Sequence, residues 1–222
     1  MKPFDLSVYL VTDTRLCGAR GVAETVRLAV TGGATLVQLR DPAAPIREIL
    51  ALAETLVAML RPLGVPLLVN DRVDVAMAAG ADGVHLGQTD MPASAARRLM
   101  GEDAIIGLSV GNPAEFAAAR DDLHAVDYLG TGPFRATATK DDAGAAIGPA
   151  GIATVTALCR LPVVAIGGID ATCAGEAIRA GADGVAAVSA ICAAGDPEAA
   201  TRAIADAVRT ARAAVHPAPT PD

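Results

Sequence analysis

One phrase occurs twice in this chain and limits what the chain can fold into. Ala79–Leu86 reads AGADGVHL and Ala180–Ala187 reads AGADGVAA, with Gly80 and Gly181 standing 101 residues apart. That interval is four units of about 25 residues, a suitable length for one strand-plus-helix unit. Weaker echoes lie before and between them, GGATLVQL from Gly32 and HAVDYLGT from His124. In each phrase a small residue or Gly closes a helix, and a branched aliphatic run then enters a strand.

Reading outward from these anchors predicts eight strands: Val8–Val11, Leu36–Leu39, Leu67–Val69, Gly83–Leu86, Ile105–Leu108, Val126–Leu129, Val163–Ile166 and Gly184–Ala187. Helical stretches separate them, such as Ile46–Leu60 with apolar residues at helical spacing. Pro62 and Pro162 stand just before strands, where helices have already ended. Alternation of this kind demands right-handed crossovers and a parallel sheet. An open doubly wound sheet also uses such units, but eight evenly spaced ones with a fourfold-spaced repeat favour closure. The expected fold is a single-domain α/β TIM (β/α)8 barrel over residues 1–214, with 215–222 as a disordered tail. The chain's 222 residues suit one such barrel. Hydrophobic residues make up 52% against 2% aromatics, so the core must come from Ala, Val, Leu and Ile.

A formal charge of −7 removes the global basic field that nucleic acid would require, so any anionic substrate must be held locally. Cys17, Cys159, Cys173 and Cys192 are scattered, with no CxxC, which fits reduced thiols in the cytoplasm. The N-terminal MKPFDLSVYLVTD holds no signal-peptide core, and no run is long enough to span a membrane. The oligomeric state stays open, a homo-oligomer included.

A barrel places its chemistry just after each strand. Those positions carry Gln38 and Arg40, Asn70 and Asp71, Asp90, Ser109, the loop to Thr137-Ala138-Thr139-Lys140, Gly167-Gly168, and Val188-Ser189. Two glycines after strand 7 let backbone amides approach a ligand, and Ser189 adds a hydroxyl, which together suit a phosphate. Asp71 and Asp90 follow neighbouring strands and suit Mg²⁺, which takes few protein ligands alongside phosphates and water. Structural roles compete: a helix cap for Asp71, and a turn ahead of Pro92 for Asp90. Arg40 and Lys140 are the cations best placed at the mouth. Asp82 and Asp183 precede strands at the opposite end and read as structural, His85 reads as a hydrogen-bonded interior residue, and His124 as a cap before strand 6. No Ser-His-Asp set, reactive Cys or zinc spacing is present.

Taken in order, QLRD at Gln38, ND at Asn70, HLGQTD at His85, GLS at Gly107, TxTK at Thr137, IGGI at Ile166 and VSAI at Val188 resemble the thiamine-phosphate synthase family over nearly the whole chain. The resemblance implies a transferase that joins a pyrimidine methyl diphosphate to thiazole phosphate and releases pyrophosphate. It implies that Gln38, Arg40, Asn70, Ser109 and Lys140 bind the diphosphate substrate, with Ser109, Lys140 and Arg40 as the catalytic set. It further implies Mg²⁺ on Asp71 and Asp90, the thiazole against Thr137, Ala138 and Thr139, and its phosphate against Gly168, Val188 and Ser189. The chain departs from the family in three places. Pro42 replaces a Lys, with Arg47 as a substitute cation. Phe134-Arg135-Ala136 replaces an aromatic-Pro pair before the first Thr. Gly111, followed by Asn112, stands where a His follows the Ser. Two rivals share the barrel: a thiazole tautomerase, and a non-catalytic barrel that binds a phosphorylated metabolite. Asp71, Asp90 and Lys140 argue for the synthase.

Overall fold

The computed structural model describes residues 4–137 and 144–215. Eight parallel strands close on themselves in chain order, β1 pairing with both β2 and β8. The strands are β1 (Val8–Val11), β2 (Leu36–Leu39), β3 (Leu67–Asn70), β4 (Gly83–Leu86), β5 (Ile105–Ser109), β6 (Tyr128–Thr131), β7 (Val163–Ile166) and β8 (Gly184–Ala187). Helices alternate with them: α1 (Thr14–Cys17), α2 (Val22–Thr31), α3 (Ile46–Leu60), α4 (Val73–Ala79), α5 (Ala93–Met100), α6 (Pro113–Ala118), α7 (Gly148–Thr156), α8 (Ala174–Arg179), α9 (Ser189–Cys192) and α10 (Pro197–Val215). The TIM-barrel expectation holds.

Two strands run one residue further than expected, β3 to Asn70 and β5 to Ser109. The sixth strand is displaced. A short 3-10 turn at Leu123–Ala125 consumes the residues before Val126, so pairing begins only at Tyr128. His124 does not cap that strand; its Nδ1 meets the Asp121 carbonyl at 2.8 Å within the turn.

Two cores follow from the alternation of strand side chains. The inner one fills the barrel with Leu6, Tyr9, Val11, Leu36, Leu68, Ile105, Tyr128, Val164 and Ala186. The outer one lies between strands and helices. α3 presents Ile49, Ala53, Leu56, Val57 and Leu60 to it, a stripe at helical spacing. Burying a side chain of that size contributes about 1.5–3 kcal/mol. Gly80 ends α4 in the left-handed conformation, with φ 67, which is the helix stop the repeated phrase predicts.

The repeat also has a physical cause. Thr35, Asp82, Asp127 and Asp183 occupy the same place in the four phrases, just before β2, β4, β6 and β8. Each side chain accepts a hydrogen bond from the first or second backbone N–H of the preceding strand: Val8 at 3.1 Å, Leu67 at 3.0 Å, Ile106 at 2.7 Å and Val163 at 2.8 Å. Each backbone N–H of the same four residues donates back across the pair, to the carbonyls of Val8, Leu67, Ile106 and Val163. Asp127 is further held by a buried ion pair with Arg97 at 2.8 Å. Asp82 and Asp183 are thus structural, as their position implied.

Candidate active site

All the expected site residues that are described stand at the C-terminal ends of the strands. Gln38 is buried at the last inward position of β2, and Arg40 follows that strand half-buried. Thr12 after β1 anchors the Arg40 backbone by accepting from its N–H at 3.0 Å. The Arg40 guanidinium makes no hydrogen bond or ion pair with the described residues. Pro42 lies in the exposed loop beyond it, and Arg47 is exposed in the first turn of α3.

Asn70 ends β3, and its side-chain amide donates to the Asp71 carboxylate at 2.6 Å. The Asp71 N–H donates to the His85 carbonyl at 2.9 Å, which ties the end of β3 to β4. Asp71 is also the one non-glycine residue with positive φ among those described, at 59°. Asp tolerates that conformation better than most residues, yet it still costs about 1–2 kcal/mol. Asp71 does not cap α4, whose N-cap is Arg72. In the β4 loop the Gly87 N–H donates to Asp90 at 2.6 Å, and a Cβ at Gly87 would lie only 2.9 Å from that same carboxylate oxygen. Gly87 is therefore what allows Asp90 to be aimed by the backbone.

Ser109 closes β5, its carbonyl bonded by the Gln88 side chain at 2.6 Å and its hydroxyl 2.9 Å from His85 Nε2. In the loop after β5, Gly111 donates to Glu115 at 2.7 Å, and Asn112 caps α6 by accepting from Ala114 and Glu115. A Cβ at Gly111 would press to 3.0 Å from the Gly132 carbonyl, so the local path favours glycine. Thr137 is half-buried; Ala138, Thr139 and Lys140 lie outside the described residues.

After β7, Gly167 and Gly168 both hold positive φ, 91° and 66°. A side chain at either would collide with the β6 loop at Pro133 or Arg135, so the glycines let two loops pack tightly while turning their amides. Asp170 stitches the same loop: it accepts from the Thr172 hydroxyl at 2.6 Å and lies 3.8 Å from Arg135. The Thr172 hydrogen bond holds its carboxyl below the usual range. Val188 leans on the inner core and Ser189 begins α9, exposed. A hollow lined by Phe4, Asp5, Thr35 and Pro66 lies at the opposite, N-terminal end, away from all these groups.

The residues matched by the family described as thiamine monophosphate synthase are 8–191, strand β1 through α9. The chain belongs to the thiamine monophosphate synthase family. Membership makes it an enzyme, a transferase of thiamine biosynthesis. It is similar to the thiamine-phosphate synthase of Xanthobacter autotrophicus, 62% identical over 211 residues that make up 95% of this chain and 99% of the relative. The thiamine-phosphate synthase of Azorhizobium caulinodans is 54% identical over 95% of this chain and 98% of its own. Among solved structures, thiamine phosphate pyrophosphorylase from Pyrococcus furiosus superposes with a TM-score of 0.83 at 39% identity, covering 93% of this chain and 96% of that one. No helix among the described residues is long and apolar enough to cross a membrane.

Sequence reading of this thiamine monophosphate synthase family member passed over Tyr9 and Tyr128. Both hydroxyls lie inside the barrel, 2.9 Å apart, and Gln38 donates to Tyr9 at 2.6 Å. The available signal was that the chain has only two tyrosines and both fall in strands.

Proposed function

We propose that the chain condenses an aminopyrimidine methyl diphosphate with thiazole phosphate to give thiamine phosphate and pyrophosphate, with Mg²⁺ assisting the leaving group. The observation that carries this reading is that Arg40, which pairs with none of the described residues, stands at the same end of a barrel of this family as two backbone-aimed carboxylates, Asp71 and Asp90. Among the described residues no three His, Cys, Asp or Glu side chains gather as a metal cage. Two hard carboxylates are nevertheless what a Mg²⁺ shared with phosphate oxygens and water requires, and the positive φ of Asp71 marks a backbone held against its ordinary preference at that position. Bound there, the ion would neutralise charge that builds up on the departing pyrophosphate.

The protein's own part is binding, aiming and charge compensation. Arg40, with Lys140 from outside the described residues, would meet the diphosphate oxygens, while Gln38, Asn70 and Ser109 hold the pyrimidine. The C–O bond to the diphosphate breaks and its electron pair leaves with pyrophosphate. The methylene cation is stabilised by the electron-rich ring. The thiazole nitrogen then supplies the pair for the new C–N bond. Thr137, Ala138 and Thr139 would set that ring's approach, and Gly168, Val188 and Ser189 would hold its phosphate through the turned amides and the hydroxyl. Alignment of two partners is worth up to about 7–11 kcal/mol of barrier, so a site without a nucleophile suffices.

The test is to supply both substrates and Mg²⁺ to the purified protein and follow both products. Equimolar thiamine phosphate and pyrophosphate, abolished by EDTA, is the expected result. Binding of thiazole phosphate without pyrophosphate release would reject it in favour of a tautomerase or a sensor.

A further inference from the structure

Two of the residues assigned above to the pyrimidine side, Gln38 and Ser109, are joined through the centre of the barrel. Gln38 Nε2 donates to the Tyr9 hydroxyl at 2.6 Å, Tyr9 and Tyr128 hydroxyls lie 2.9 Å apart, Tyr128 meets His85 Nδ1 at 2.8 Å, and His85 Nε2 meets Ser109 Oγ at 2.9 Å. Five side chains from β2, β1, β6, β4 and β5 thus form one unbroken line.

This line is built into the strands. Gly107 pairs in register with His85 on one side and Tyr128 on the other. Any side chain at Gly107 would occupy the space where the Tyr128 hydroxyl and His85 Nδ1 meet. Gly130, in register with Ser109, leaves room for the imidazole; a Cβ there would stand 2.9 Å from His85 Cε1. Neither glycine has positive φ, so space and not backbone freedom explains both. Tyr128 is fully buried and Tyr9 is 2% exposed. Burial pushes both phenols above their ordinary range, so each remains an O–H donor at working pH.

Proton counting gives the line a direction. The Gln38 amide nitrogen can only donate, so Tyr9 accepts there and directs its own O–H to Tyr128. Tyr128 in turn donates to His85 Nδ1. A neutral imidazole then carries its proton on Nε2 and donates to Ser109 Oγ. The Ser109 hydroxyl hydrogen is then left for a partner other than His85.

We propose that Tyr9, Tyr128 and His85 are positioning residues that set Ser109 as a hydrogen-bond donor, matched to an acceptor atom on the pyrimidine diphosphate. The assignment of the partner rests on the proposed function; the direction of the line does not. Reversal, with Gln38 accepting through its carbonyl, would make Ser109 an acceptor and select a donor such as an exocyclic amine instead.

The first test needs no substrate. ¹⁵N NMR of the free enzyme, with His85 assigned by comparison with His85→Gln, is expected to show His85 protonated on Nε2 and bare on Nδ1. A proton on Nδ1 would overturn the proposal. The second is kinetic. Tyr128→Phe keeps the ring but leaves Nδ1 without its donor, and is expected to raise the KM for the pyrimidine diphosphate roughly tenfold while the KM for thiazole phosphate stays within about twofold. In a Ser109→Ala background the same substitution should have no further effect on that KM. Equal changes in both KM values, or none, would overturn it. Tyr9→Phe, expected to act in the same direction by a smaller factor, serves should Tyr128→Phe not fold. A correct NMR result from a protein that makes no thiamine phosphate would refute the proposed function and leave the line's direction standing.

Discussion

At the N-terminal end of the barrel Thr35, Asp82, Asp127 and Asp183 perform one task four times over, each tying a strand to the one before it. At the C-terminal end Arg40, Asp71, Asp90 and Ser109 show no such common pattern: each is held by a different arrangement of hydrogen bonds. Asp82 and Asp90 are eight residues apart and chemically identical, yet one ties β3 to β4 and the other accepts from the Gly87 N–H in the loop after β4. Repetition in this sequence therefore marks stability, while on the proposed function departure from repetition marks chemistry. The physical reason is that strand starts all meet the same neighbour, another parallel strand, whereas on the proposed function strand ends meet an asymmetric ligand.

This contrast can be broken by substitution. The largest effect is expected at the N-terminal end. Asp127→Ala leaves Arg97 buried without its ion partner and Ile106 N–H without an acceptor, so unfolding free energy should fall by about 3–5 kcal/mol. Below the new melting temperature its kcat/KM should match wild type; denaturant unfolding beside steady-state kinetics reads both. The converse is expected at the other end. Asp71→Asn keeps a residue that accepts positive φ but removes the charge, so kcat should drop about 10²–10³-fold. Its melting temperature should move by only a few degrees. A gentler probe of the repeat is Thr35→Val, which deletes one hydroxyl bridge to Val8 and should cost about 0.5–1.5 kcal/mol with activity intact. Loss of activity in Thr35→Val at a temperature where it is fully folded would show that the two ends are not separable.

The fold was legible because it is written in the repeated part. AGADGV marks helix stop, tying residue and strand in one phrase, and the helical spacing of Ile46–Leu60 needs no tertiary information. The sixth strand was misplaced because Val126 has the branched side chain of a strand residue but sits at the exit of a turn, where chain direction and not propensity decides. The mouth residues were legible by position, since each lies at or just after the C-terminal end of a strand. The Tyr9–Tyr128–His85 line was not, because its members are separated by up to 119 residues and meet only through the register of a closed barrel. Gly107 illustrates the limit: its meaning lies in the side chains on both neighbouring strands. Ala138, Thr139 and Lys140 were named from the sequence and lie outside the described residues.

The most direct test of the account is the Mg²⁺ dependence of pyrophosphate release, measured for the wild type and Asp71→Asn at saturating substrates. The account predicts release that requires Mg²⁺ in the wild type and a half-saturating Mg²⁺ concentration at least about tenfold higher in the variant, since one charged ligand is worth about that factor or more. Identical Mg²⁺ curves for the two proteins, or release indifferent to the ion, would contradict it.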